Sequence, residues 1–155
     1  MILLKDMSIK NLALTFFGFI SALFSILSLV FKIITFDYGP GISGFKWLFG
    51  DGYGSGWDIS GFASFLTLVV FVFAIGIIGL FCATFLLAGD KTTYRKGMRL
   101  VTVANLVSAL VYMIAGFVAK GVYRDEYFGT AAFIPFILAI VFTLGYFASD
   151  KVLGE

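Results

Sequence analysis

Reactive side chains are scarce in this chain, and their scarcity bounds the chemistry that it can perform. There is no histidine and only one cysteine, Cys82, so neither a dithiol redox pair nor an intrachain disulfide can form. Acid–base and nucleophilic catalysis need a positioned histidine, carboxylate, lysine or activated cysteine. Every acidic residue, however, lies at or beyond the end of an apolar segment. We therefore predict that the protein is not an enzyme and holds neither a cofactor nor a metal ion.

Small and hydroxylic residues within the first apolar segment form one helical face. At spacings of i, i+3, i+7 and i+10, this face consists of Gly18, Ser21, Ser25 and Ser28. The hydroxyls suit a polar pathway for a solute. Small residues on one face also let another helix approach closely, and no carboxylate accompanies these serines. We therefore predict that this face packs against another helix.

The second apolar segment has its own small residues, Gly76, Gly79 and Ala83. The last two form a small-xxx-small pair, which is typical of a helix that seats a neighbouring helix in the membrane. A glycine hinge is the alternative interpretation. Cys82, beside the pair, is expected to be a small buried apolar residue.

Asn105 is the only amide side chain within any apolar segment, and it shares a helix face with Ala109, Tyr112 and Gly116. An amide without a hydrogen-bond partner is unfavourable in hydrocarbon. We therefore expect Asn105 to face protein and to bond another helix, with contact to a ligand as the alternative.

The composition identifies the solvent of this chain as lipid. Of its 155 residues, 61% are hydrophobic and 13% are charged, and the mean hydropathy is +1.05. A soluble domain is about one-quarter charged and about half apolar. The net charge of +2 is too small to indicate a nucleic-acid partner. We predict an integral membrane protein that binds no nucleic acid.

Four apolar segments are long enough to cross a bilayer, which takes about 17–25 helical residues. The apolar run 12–31 exceeds the roughly 7–15 residues of a signal-peptide core, so the first span is expected to be retained. The predicted fold is all-α, a single four-helix transmembrane domain over residues 1–155. We place its spans at about 12–36, 62–88, 100–119 and 130–148.

Basic residues are distributed unevenly between the two ends of this predicted bundle. With the N-terminus inside, seven of the 11 Lys and Arg residues lie inside and four outside. Cytoplasmic loops carry an excess of Lys and Arg, so we predict that both termini are cytoplasmic and that the membrane is the inner membrane of a bacterium. The main determinants cluster between the second and third spans: Lys91, Arg95, Lys96 and Arg99.

The first outer loop, residues 37–61, is rich in glycine and aromatic residues. Eight glycines between positions 39 and 61 imply tight turns. Residues 54–59 resemble one imperfect calcium-binding turn, although ordinary turn chemistry explains the same residues. Tyrosine and tryptophan are enriched at the level of the lipid headgroups. We expect such interface anchors at Trp47, Tyr53, Trp57, Tyr123 and Tyr127.

Four spans, internal termini and a long aromatic first outer loop resemble the tetraspan plan of claudins and PMP22. In that family the loop carries a tryptophan and two cysteines. Here Trp47 and Trp57 are present and the loop has no cysteine, so the resemblance is one of topology and implies no disulfide-pinned sheet. The segment 42–50 is similar to the first loop of small bacterial four-span membrane proteins of unassigned function. Neither resemblance implies an activity.

Uncharged spans with small-residue faces suit a protein that binds other helices. We predict a non-catalytic accessory or structural subunit, whose partners are the lipid bilayer and other membrane subunits or copies of itself. The alternative is a homo-oligomeric channel or small-solute transporter lined by Ser21, Ser25 and Asn105. Coupled transport usually requires charged residues within the spans, so this alternative is the second hypothesis.

Overall fold

A computed structural model describes residues 8–36, 41–50, 56–58, 60–122 and 128–153 of the chain. Four helices in this part are long and apolar enough to cross a membrane, which confirms the predicted multi-pass membrane protein. The helices are α1 (Ile9–Leu27), α2 (Gly44–Phe49), α3 (Gly61–Leu87), α4 (Lys91–Val122) and α5 (Phe133–Val152), with 3-10 turns at Ser28–Val30 and Gly56–Asp58. The strands are β1 (Lys32–Phe36), β2 (Ile42–Ser43) and β3 (Phe128–Gly129).

Serine side chains define the starts of three helices. The hydroxyl of Ser8 accepts a hydrogen bond from the amide of Asn11 at 3.2 Å, which caps α1. Ser43 and Ser60 cap α2 and α3 in the same way. Each hydroxyl satisfies one of the amides that the first helical turn leaves without an intrahelical partner.

Two predicted boundaries differ from the structure. The basic segment 90–99, expected to link two spans, is helical from Lys91, and the amide of Tyr94 donates to the carbonyl of Asp90 at 3.1 Å. The first span was expected to continue to residue 36, but the helical part ends at Val30 and β1 follows it. Ile33 and Ile34 are β-branched and fully buried there, which favours a strand.

Helix α4 lies at the centre of the bundle. It packs against α1, α3 and α5, and α1 also packs against both α3 and α5. In the most apolar stretch of each membrane helix, the buried share is 44% in α4 and 39% in α1, against 22% in α3 and 17% in α5. Helices α1 and α4 run parallel, since Thr15 bonds Tyr94 near their starts and Tyr112, further along α4, bonds Phe31 just after the helical part of the first span.

A small sheet covers the end of the bundle where α1 finishes, so the predicted all-α fold needs correction. Its strand order is β2-β1-β3 and both pairings are antiparallel, with Lys32 opposite Ser43 and Thr35 opposite Gly129. The sheet forms without cysteines because ladder hydrogen bonds and a buried tryptophan, Trp47, hold this end together. Trp47 is only 1% exposed.

The placement of Trp47 corrects its predicted role as an interface anchor. Its ring packs over Gly56, where an added Cβ would lie 2.3 Å from the indole. The side chain therefore packs inside the protein at the sheet end of the bundle and does not face the lipid. Trp57 is 44% exposed. Tyr53, Tyr123 and Tyr127 lie outside the described residues, as does half of the segment 54–59 that resembles a calcium-binding turn.

Candidate functional site

The small-residue face of α1 lies against α4. Gly18, Ser21, Ser25 and Ser28 are all buried, and a Cβ added at Gly18 would lie 2.6 Å from the sulfur of Met98. The hydroxyls of Ser25 and Ser28 donate to backbone carbonyls one turn earlier in the chain, at 2.6 and 3.0 Å. Both donors are thus satisfied locally. Ser21 is the exception, because its buried hydroxyl has no hydrogen-bond partner among the described residues.

Asn105, Ala109 and Gly116 are buried on α4. Gly116 lies against the segment before α5, since an added Cβ would be 2.4 Å from the hydroxyl of Thr130. The expected hydrogen bond from Asn105 to a neighbouring helix is not found in the part of the chain that the structure describes, although the side chain is only 3% exposed.

The small residues of α3 have the opposite placement. Gly76, Gly79 and Ala83 are exposed on the side of α3 that points away from the bundle, and a Cβ added at Gly76 or Gly79 would meet nothing within 4 Å. In the part of the chain that the structure describes, they seat no other helix, because the buried side of α3 is the opposite one, which carries Val70 and Ala74. Cys82 is also exposed, which corrects its expected burial.

We call the outward surface around these residues the α3 outer face, defined by Val72, Gly76, Gly79 and Ala83. Beside it, an apolar groove of about 560 Å³ runs between α3 and α4. Side chains on both helices form its walls, including Phe73, Leu80, Leu100 and Val107 as well as Gly76. Gly76 lines this groove, and Gly79 lies on the adjoining α3 outer face, so the two glycines leave a recess among bulkier side chains.

The predicted topology determinants occupy the first turns of α4, at the opposite end from the sheet. Three of them point into a cavity of about 230 Å³ that lies between α4 and α5. We call it the basic cavity; its walls are Thr92, Arg95, Lys96, Arg99, Tyr146 and Asp150. Lys91, the fourth determinant, is exposed and lies outside the cavity walls.

Hydrogen bonds from α1 and α5 position the basic cavity. The Nε of Arg95 donates to Oδ1 of Asn11 at 2.9 Å, and the hydroxyl of Tyr146 donates to the carbonyl of Arg95 at 2.8 Å. At the same end of the bundle, the hydroxyls of Thr15 and Tyr94 are also joined by a hydrogen bond. Lys10 and Asp150 form an ion pair at 3.4 Å. The starts of α1 and α4 and the end of α5 are thus tied together at this end.

Four residues of this site were not anticipated from the sequence: Asn11, Thr92, Tyr146 and Asp150. For Thr92 a signal was present, because Thr92, Lys96 and Arg99 recur at helical spacing and share a face with Arg95. No such signal identifies Asn11 or Tyr146, which reach the cavity from other helices. No family model, curated protein or solved structure is significantly similar to this chain, so its likeness to the tetraspan plan is one of four long apolar helices.

Proposed function

We propose that the protein is a non-catalytic accessory subunit of a membrane complex, which binds a transmembrane helix of another membrane protein through the α3 outer face. The observation that supports this proposal most strongly is the exposure of Gly76 and Gly79 in the middle of a long membrane helix. Glycine lowers helix stability by about 1 kcal/mol relative to alanine. A surface that contacts only lipid gains nothing from that loss.

A partner helix gives these glycines a physical role. Small residues let two helix backbones approach closely, which increases van der Waals contact where no hydrophobic driving force separates protein from lipid. Ala83 extends the recess by one further turn, at i+4 from Gly79. The groove beside the α3 outer face offers apolar walls for bulky side chains of the same partner. One helix could therefore contact both features.

The orientation of the bundle belongs to the same proposal. The end at which α4 begins lies in the cytoplasm, together with both termini, and the membrane is the inner membrane of a bacterium. Clustered basic residues at that end support this orientation. In a Cys82→Ala background, a cysteine at Lys46 should react with an impermeant thiol reagent in intact cells, and a cysteine at Thr93 should not. The reverse labelling pattern would overturn the orientation.

The subunit proposal is tested by Gly79→Leu, with Gly121→Leu as the matched control. Both glycines are helical and have open space around an added Cβ, but only Gly79 belongs to the α3 outer face. After gentle extraction of membranes, we expect wild type to form a larger assembly, Gly79→Leu to lose it, and Gly121→Leu to leave its mass unchanged.

The mass of the assembly distinguishes the hypotheses. A complex of more than one kind of chain that is lost in Gly79→Leu supports an accessory subunit. Assemblies that contain only copies of this chain would instead favour the homo-oligomeric alternative. If wild type is a monomer after gentle extraction, or if both variants keep the same assembly, the proposed role of the α3 outer face is wrong.

A further inference from the structure

Among the described residues, the walls of the basic cavity carry three cationic side chains and one carboxylate. Arg95, Lys96 and Arg99 lie in its walls with a single carboxylate, that of Asp150. Asp150 pairs with Lys10 at 3.4 Å. In the described ranges, no carboxylate lies within salt-bridge distance of Lys96 or Arg99. A site of this charge favours an anion.

The helix that supplies these cations adds to the imbalance. The N-terminus of a helix carries a partial positive charge, which acidic side chains normally offset. The first turn of α4 contains no acidic residue, and Asp90, which directly precedes it, lies outside the walls of the cavity. Like charges at i, i+3 and i, i+4 repel each other, as Arg99 does with Lys96 and Arg95. An anion in the cavity would offset the partial charge of the helix N-terminus and reduce the repulsion among these cations. Thr92, in the first turn of α4, adds a hydroxyl to the cavity wall.

The geometry of the cavity limits the size and depth of that anion. Its volume of about 230 Å³ is below the roughly 300–1,000 Å³ of pockets that enclose a drug-sized ligand. The candidate span in α4 has 31 residues, or about 46 Å of helix, whereas the hydrocarbon core is about 30 Å thick. Because residues 100–119 are uncharged, they fill the core and leave the preceding turns at the level of the headgroups.

We propose that the basic cavity binds a phosphate group, held by Lys96 and Arg99 and by the guanidinium of Arg95. The bond from Arg95 to Asn11 at 2.9 Å orients that guanidinium beforehand, and guanidinium groups suit phosphate because their donors form a planar fork. The phosphate comes either from the headgroup of an anionic lipid or from a soluble phosphate ester. The headgroup depth of the cavity favours the lipid. This site is independent of the α3 outer face.

The test compares Lys96→Gln/Arg99→Gln with the matched control Lys91→Gln/Lys151→Gln. Each double variant removes two cations from the same end of the bundle, but Lys91 and Lys151 are exposed and lie outside the cavity walls. The detergent-purified, delipidated full-length protein is titrated with phosphatidylglycerol or phosphatidylcholine and examined by native mass spectrometry. Wild type and control should bind phosphatidylglycerol in preference to phosphatidylcholine. The cavity variant, Lys96→Gln/Arg99→Gln, should bind phosphatidylglycerol at least roughly tenfold more weakly than wild type does.

A second experiment tests whether a soluble phosphate ester binds to the same cavity. Glycerol 3-phosphate is compared with sodium chloride at matched ionic strength in thermal unfolding. Stabilisation of wild type and control, absent in the cavity variant, identifies a soluble phosphate ester as a sufficient ligand. Preference for phosphatidylglycerol without any effect of glycerol 3-phosphate identifies the lipid.

Two results would overturn the proposal. One is equal loss of lipid binding in both double variants, which would indicate a diffuse surface charge instead of a site. The other is the absence of both a lipid preference and a phosphate effect in wild type. If the cavity variant fails to fold, Arg99→Gln alone is used, because Arg99 is exposed and its substitution leaves the bond between Arg95 and Asn11 in place.

Discussion

Helices α3 and α4 are antiparallel neighbours that are both long and apolar enough to cross a membrane, yet they use glycine in opposite ways. On α4, Gly97 and Gly116 face other parts of the chain, and an added Cβ would lie 2.4 Å from side-chain atoms of Thr84 and Thr130. On α3, Gly76 and Gly79 face outward with nothing within 4 Å. The first pair lets this chain pack closely against itself, and the second leaves an opening for something else. Glycine thus predicts a close contact in both helices, but it does not predict what the helix contacts.

The largest effect that sharpens this comparison is expected at Gly97. Gly97→Ala places a methyl group 2.4 Å from Cγ2 and Oγ1 of Thr84, and overpacking of this kind costs about 1–3 kcal/mol. Thermal unfolding in detergent should show a clear loss of stability. Adding Thr84→Ala, which removes both of those atoms, should recover part of the loss. Unchanged stability in Gly97→Ala would contradict the close α3–α4 contact.

A smaller loss of stability is expected where α4 contacts the segment between α1 and the small sheet. The hydroxyl of Tyr112 donates to the carbonyl of Phe31 at 2.6 Å, and Tyr112 is fully buried. Tyr112→Phe keeps the ring and removes this bond, so it should destabilise the protein by about 0.6–1.7 kcal/mol. Chemical unfolding measures the change. A neutral result would mean that the carbonyl finds another donor.

On α3, substitution of a glycine should not lower the stability of the protein. Gly79→Leu in the isolated chain creates no clash and replaces a poor helix former with a good one, which favours the helix by up to about 1 kcal/mol. The unfolding midpoint of the purified monomer should therefore stay the same or rise. A fall in the midpoint would show that Gly79 packs against this chain and would remove the contrast between the two helices.

The smallest effect is expected at Asn105, the polar centre of α4. Because its amide forms no hydrogen bond to a neighbouring helix among the described residues, Asn105→Leu should change stability by no more than about 0.6 kcal/mol. Purified protein in liposomes should pass no ions above background, with or without the substitution. A conductance that disappears in Asn105→Leu, with assembly mass unchanged, would favour the channel hypothesis over the subunit hypothesis.

The sequence predicted the membrane helices because hydropathy and length are sufficient for that purpose. In hydrocarbon the backbone must satisfy its own hydrogen bonds, so a long apolar segment has few structures open to it. Hydropathy did not, however, predict where the helices end. Residues 32–36 are almost as apolar as α1, and the change from helix to strand leaves little trace in hydropathy. The charges of residues 90–99 mark a membrane boundary, and α4 continues through it.

The candidate sites were predictable only in part. Spacing grouped Gly18 with the serines of α1 and Gly79 with Ala83, because residues on one helix keep a fixed angular relation. Spacing does not report which way a helix is turned in the bundle. For that reason the buried face of α1 and the open face of α3 were indistinguishable before the fold was known. Trp47 was misplaced for a related reason, since its burial depends on the distant Gly56.

By itself, the sequence determined that this protein has four long apolar helices, few reactive groups and a cluster of cations beside one of them. Local hydropathy and charge act within one segment, so a single sequence is enough to state them. Only the tertiary structure decided which small residues face the interior and which face outward. It also brought Asn11, Arg95 and Tyr146 together from three helices. Such contacts depend on how whole helices rotate and align against one another, and no single segment encodes that.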